Sequence, residues 1–273
     1  MTDSLLVLDA SVQAAADRLV TAATAGVPCP PVRDLIGATD VAAAYAVQER
    51  VNRARIAAGA HVVGRKIGLT SPAVQAQLGV DQPDLGVLFA DMAYDAAVPV
   101  PLAGLLQPKV EAEIAFVLGA DLADGPLGLE QITAAVDHAV VAIEICDSRI
   151  AGWDIRLADT VADNASAGGY VLGSERRTLA EFTPRDTVMR MKVTGEEDST
   201  GTGADCLGDP LLALQWLARQ ALAFGDPLRA GQVILSGALG PMRPARPGAL
   251  VDVRVSGLGT LSISFGAATA EES

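Results

Sequence analysis

From His61 to the C-terminus, short runs rich in Val, Ile and Leu alternate with Gly and Pro, and only two helical stretches interrupt them. The runs are His61–Ile67, Ala97–Pro99, Val110–Leu118, Val140–Cys146, Gly168–Leu172, Val188–Val193, Gln232–Leu235, Ala249–Val255 and Thr260–Phe265, each of strand character. One helix is expected over Leu129–His138. The other follows Asp209 as N-cap, with Pro210 at the first helical position and Gly225 just past the end. A doubly wound parallel sheet needs a crossover helix between most strands, and this chain has too few. The pattern predicts an α+β fold with a mixed β-roll or sandwich core and peripheral helices. Residues 1–60 read differently. Val12, Ala15, Ala16, Leu19 and Ala23 form a helical stripe that Gly26 and Pro28 end, and a second helix runs from about Asp40 to Ala58. Glu49 and Arg53 form an i,i+4 pair on its surface. The expected organisation is a helical segment over 1–60 and a β-rich domain over 61–273, together one compact unit. The helical segment is a cap over the core or a partner-binding element.

Composition removes several classes of function. Half of the residues are hydrophobic and 19% are charged, so the chain can bury a core and is not disordered. A net charge of −13 opposes the phosphate backbone, and no nucleic-acid partner is expected. No apolar run is long enough for a membrane span, and the N-terminus lacks the basic and apolar regions of a signal peptide. Cys29, Cys146 and Cys206 are odd in number and scattered, as free thiols in a reducing cytoplasm would be. Apolar surface on this Ala- and Leu-rich chain suggests a homo-oligomer. With only His61 and His138 available, a metal site would have to be built mainly from carboxylates.

Three segments carry candidate chemistry. In PKVEAEIAFVLG, strand alternation puts Glu111 and Glu113 on one face and Val110, Ala112, Ile114 and Phe116 on the other. Two carboxylates on an otherwise apolar face are paired, bound to a cation, or exposed on an edge strand. In VVAIEICDSRI, Glu144 shares a face with Ala142 and Cys146 and also needs a partner, an arginine or an ion. In GRKIGLT, Lys66 lies in a strand between glycines, either exposed or beside an oxyanion. Asp81, Asp84 and Asp91 crowd a Pro/Gly turn. Asp159–Gly169 is dense in small residues, and SGALGPM could line a pocket mouth. His138 reads as structural within its helix. GTGADCLG fails the dinucleotide-binding spacing, and no GxSxG elbow occurs.

Taken together, VVGRKIGLTSPAVQAQLGVDQPDLGVLFADM, QPKVEAEIAFVLG, AIEICDSRIAGWDIRLADTVADNASAGGYVLG, CLGDPLLALQWLAR and ILSGALGPM resemble the 2-keto-4-pentenoate hydratase family of the fumarylacetoacetate hydrolase superfamily. The resemblance runs from about His61 to the C-terminus. It implies a core of the fumarylacetoacetate hydrolase C-terminal type and a catalytic domain over 61–273. It also implies Mg²⁺ or Mn²⁺ held by Glu111, Glu113 and Glu144, with Lys66 in the active site. The family's acidic loop residue best matches Asp84, with Asp81 as the neighbouring candidate, while Leu69 and Ser166 match substrate-contacting residues. The implied reaction is hydration of 2-hydroxypenta-2,4-dienoate, a small anionic 2-hydroxy acid, to 4-hydroxy-2-oxopentanoate. The rivals are 4-oxalocrotonate decarboxylase, a hydratase of a longer 2-oxo-enoate, a C–C bond hydrolase, and a scaffold that activates a partner. The GALGPM segment resembles hydratases more than decarboxylases.

Overall fold

The computed structural model describes residues 2–71, 75, 80 and 82–267. In chain order the elements are α1 (Thr2–Ala25), α2 (Arg33–Ile36), α3 (Val41–Ala57), β1 (Val62–Gly68), β2 (Asp84–Phe89), β3 (Ala93–Tyr94), β4 (Lys109–Leu118), α4 (Leu129–Ala135), β5 (Val136–Cys146), α5 (Leu157–Ala162), β6 (Ala167–Leu172), β7 (Val188–Val193), β8 (Ser199–Thr202), α6 (Pro210–Ala223), β9 (Val233–Leu235), β10 (Arg243–Pro244), β11 (Leu250–Val255) and β12 (Gly259–Ser264). A mixed sheet in the order β2-β1-β9-β4-β5-β6-β3, with β10 also paired to β4, packs against an antiparallel sheet in the order β12-β11-β7-β8. This is the expected α+β architecture.

The main core lies between the sheets. Val110, Ala112, Ile114 and Phe116 of β4 and Val141, Ile143 and Ile145 of β5 meet Met189, Met191 and Val193 of β7 and Val251 and Val253 of β11. Leu214 and Leu217 of α6 join them. The cap signals on α6 hold: the Asp209 side chain accepts a hydrogen bond from Leu211 N, and Gly225 takes φ +76° past the C-cap. The opposite face of the large sheet carries a second apolar cluster, with Leu88, Phe89, Ala115, Ala142 and Leu235. β4 is therefore an interior strand covered on both sides, and the edge-strand reading of Glu111 and Glu113 does not hold.

A third cluster joins the N-terminal helices to the rest, as Val12, Leu19, Ala44 and Val47 pack with Ile150, Ala158 and Val161. Its polar anchor is Asp159 of α5, which is fully buried. One carboxylate oxygen accepts from Val32 N and Arg33 N, both at 2.9 Å. The other accepts from Arg156 N at 2.9 Å and Arg33 Nη1 at 2.6 Å. Asp159→Ala leaves these donors unpaired and should lower stability to urea by about 3–5 kcal/mol. A loss under about 1 kcal/mol would mean that solvent replaces those bonds.

Three expectations fail locally. Ala97–Pro99 is not a strand. Asp95 closes a turn there by accepting from Ala97 N, and Val100 alone bridges to Phe265. The helix expected to reach His138 ends at Ala135, because Val136 and His138 pair with Leu118 and Val117 of β4. His138 is thus a strand residue. Asp84 opens a strand rather than lying in a loop, since DLGVLF pairs with β1 despite its Asp and Gly. The small-residue stretch, for which no element was expected, begins inside helix α5, Leu157–Ala162.

Candidate active site

Antiparallel register places Glu111 of β4 directly opposite Glu144 of β5. Glu113, two residues on, projects from the same face of β4, and the charges of Glu144 and Glu111 both act on it. Glu113 and Glu144 are fully buried, and Glu111 is 6% exposed. Glu113 Oε2 accepts from Gly237 N at 2.7 Å. Among the described residues, Glu113 Oε1 and both oxygens of Glu144 have no hydrogen-bond partner. Burial and then the Glu144 charge push the Glu111 carboxyl up to about 7, and burial with Glu144 and Glu111 raises Glu113 well above the usual carboxylate range.

Lys66 enters this nest from β1. Its Nζ lies 3.0 Å from Glu144 Oε1, an ion pair outside hydrogen-bond geometry, and donates to Ala165 O at 2.9 Å. Burial works against the ammonium. Glu144, Cys146, Glu111 and Asp84 outweigh it and hold the lysine well above its ordinary range. Two glycines permit this closeness. A Cβ on Gly68 would lie 2.2 Å from Asp84 Oδ1, and one on Gly86 would lie 2.5 Å from Asn164 O. Asp84 is 1% exposed. Its Oδ2 accepts from Thr160 Oγ1 at 3.1 Å, while Oδ1 has no partner among the described residues. Burial raises its pKa, against the pull of Lys66 and Thr160.

The Ala165 carbonyl is held by an unusual turn. Asn164, Ala165 and Ser166 take φ of +56°, +52° and +53° in succession, a left-handed path that L-residues adopt at a cost. Asn164 clamps it to β2, accepting from Val87 N at 2.8 Å and donating to Val87 O at 2.9 Å. Asp163, the residue before the turn, is paired with Arg149. Ser166 Oγ is buried without a partner among the described residues. Ala165→Gly should raise thermal stability by about 0.5–1 kcal/mol, because glycine adopts this conformation freely. A fall in stability would show that the Ala165 methyl packs more favourably than its backbone is strained.

Lys66, Asp84, Glu111, Leu69 and Ser166 line one cavity of about 90 Å³. Asp81 lies outside the described residues. Trp153, Thr160 and Cys146 line the cavity too and were not singled out as site residues from sequence. Trp153 had no local signal, Thr160 lies within the small-residue stretch Asp159–Gly169, and Cys146 shares the alternation that marks Glu144. Buried carboxylates with unpartnered oxygens suit a hard divalent cation better than an empty apolar pocket, so the residues fit a metal site.

The profile of the fumarylacetoacetate (FAA) hydrolase C-terminal family matches residues 61–265. A curated relative from Pseudomonas putida F1, the TodF product hydratase, is 54% identical over 255 residues, covering 93% of this chain and 95% of that protein. The 2-keto-4-pentenoate hydratase of Burkholderia vietnamiensis is 49% identical over 257 residues, covering 94% and 98%. Among solved structures, the 4-oxalocrotonate decarboxylase from Pseudomonas putida G7, complexed with magnesium and adipate, superposes with a TM-score of 0.88 at 33% identity, covering 93% and 97%. The family resemblance carried by the five sequence segments is borne out.

Proposed function

From a chain that belongs to the fumarylacetoacetate hydrolase C-terminal family, and within it to the 2-keto-4-pentenoate hydratases, we infer a metal-dependent hydro-lyase. It adds water to 2-hydroxypenta-2,4-dienoate and gives 4-hydroxy-2-oxopentanoate. The observation that carries this reading is buried Glu144, set opposite Glu111 and 3.0 Å from Lys66 Nζ, with neither of its oxygens in a hydrogen bond among the described residues. Glu111, Glu113 and Glu144 would hold the divalent cation, Mg²⁺ or Mn²⁺ by their hard oxygen donors. When bound, such an ion supplies Lewis-acid polarisation of the substrate's carboxylate and 2-oxygen.

The chain's own groups account for the proton movements. Lys66 Nζ, fixed by Ala165 O, donates to the substrate's 2-oxygen and favours the 2-oxo form, whose C4 is electrophilic. The enol proton leaves the 2-oxygen and a proton arrives at C5. Water then adds its oxygen at C4 while C3 gains a proton. Asp84 Oδ1, free of partners and in a carboxyl whose affinity for protons burial has raised, accepts the proton of the attacking water. Ser166 Oγ and Leu69 contact the substrate.

Lys66 is the one basic residue lining the cavity among the described residues, which suits a monocarboxylate better than a dicarboxylate needing a second cation. That favours the hydratase over the 4-oxalocrotonate decarboxylase reading. No helix among the described residues is long and apolar enough to cross a membrane. The three free, buried thiols support a cytoplasmic setting. The helical segment over 1–60 and the catalytic domain over 61–273 are proposed to act as one unit that self-associates, which light scattering checks.

The test is a substrate panel with and without Mg²⁺ or Mn²⁺. The expected result is metal-dependent loss of the dienoate chromophore and a product carrying a C4 hydroxyl. CO₂ released from 4-oxalocrotonate without hydration would move the chain to the decarboxylases. Faster turnover of a longer 2-oxo-enoate would reassign the substrate.

A further inference from the structure

Cys146 follows Glu144 by two residues on β5 and so projects from the same face. Donor atoms of Glu111, Glu144 and Cys146 all lie within 4.8 Å of one another. Two bonds of about 2.0–2.3 Å to one ion span at most about 4.6 Å end to end, so this limit lies just above what a shared ion requires. Cys146 is 3% exposed, lines the cavity, and its Sγ approaches Glu111 Oε1 at 3.5 Å. Buried free cysteines are most often small hydrophobes. Cys29 and Cys206 fit that description, because each packs within an apolar cluster. Cys146 belongs to none of the three clusters. Its surroundings are Glu111, Glu144 and Lys66 instead. Neither Glu144 oxygen has a hydrogen-bond partner among the described residues, and Oε2 has no ion-pair partner there either, an independent sign that a ligand belongs beside it.

We propose that Cys146 is an additional donor in this centre, so that a thiophilic divalent ion such as Zn²⁺ or Cd²⁺ is held by Glu111, Glu144 and the Cys146 sulfur together. The proposal deepens the metal reading above and rests on it. Hard ions gain nothing from sulfur and use the glutamates, whereas softer ions prefer a mixed oxygen and sulfur set. The thiol proton passes to solvent as the metal–sulfur bond forms, and no redox change occurs. The centre therefore takes two classes of ion by two overlapping donor sets.

The experiment titrates the purified, metal-free full chain with Cd²⁺ and follows the ultraviolet sulfur-to-cadmium charge-transfer band. Zn²⁺ and Mn²⁺ affinities are measured by chelator competition and by the Mn²⁺ spin-resonance signal. The expected result is a band equivalent to one thiolate per chain that vanishes in Cys146→Ser and Cys146→Ala. Zn²⁺ affinity should fall at least about tenfold in both variants, with Mn²⁺ affinity unchanged within about twofold. A band that persists in both variants would place the sulfur at Cys29 or Cys206 and overturn the assignment. No band in a wild-type chain that binds Mn²⁺ would overturn it and leave the hydratase reading standing. Failure to bind Mn²⁺ as well would remove the metal centre itself, and both readings with it.

Discussion

Glu144→Gln is expected to abolish metal-dependent turnover and the thermal shift that a divalent cation produces, while the protein stays folded. The carboxylate sits fully buried opposite Glu111 and beside Lys66, with both oxygens lacking hydrogen-bond partners. Gln keeps the shape but removes the charge that an ion needs. Losing a group that merely supports a metal ligand costs about 10–100-fold in affinity or activity. Losing the ligand should exceed that. In wild type, an ion at about 100 times its dissociation constant adds about 2.7 kcal/mol of stability, and in the variant that increment should vanish. Breaking a buried ion pair is normally destabilising. Here the removed carboxylate also repels Glu111 and Glu113, so part of the loss is offset. Wild-type turnover in Glu144→Gln, or an unchanged cation-induced shift, would remove the ion from this position.

Lys66→Met should lower turnover by about 10²–10⁴-fold, the range of a positioned proton donor, and leave metal binding intact or tighter. The ammonium lies 3.0 Å from Glu144 Oε1 and competes with a cation for that oxygen. Removing it eliminates like-charge repulsion between lysine and ion. Methionine fills most of the lysine volume, so the cavity between β1 and the 164–166 turn does not collapse. The measurement pairs steady-state kinetics with Mn²⁺ affinity. Parallel loss of both would show that Lys66 holds the carboxylates in place and takes no part in the chemistry.

Several features were legible before any fold was known. Alternation in PKVEAEIAFVLG separates the glutamates from Val110, Ala112, Ile114 and Phe116, and the structure keeps those faces apart. The start and stop signals around Pro210–Ala223 needed nothing from elsewhere in the chain. Other elements were hidden because their signals are weak or contested. Asp84–Phe89 carries an Asp and a Gly where strand propensity is low, and pairing with β1 overrides it. Val136 and His138 continue a helical pattern, but β4 offers them backbone partners and a half-buried position.

The sequence by itself determined the fold class, the helical opening, and which side of β4 and β5 each glutamate and Cys146 would face, because alternation is a local property of an extended chain. The tertiary structure alone decided that β4 lies inside a sheet covered on both faces, so that those carboxylates lost their water. It alone set Glu111 opposite Glu144, since register across two strands depends on everything that joins and packs them. It alone bent Asn164–Ser166 into a left-handed turn whose carbonyl holds Lys66, a conformation no local preference of Asn-Ala-Ser would choose. Charge, burial and a shared cavity belong to residues distant in the chain, and only close packing brings such residues within a few ångströms.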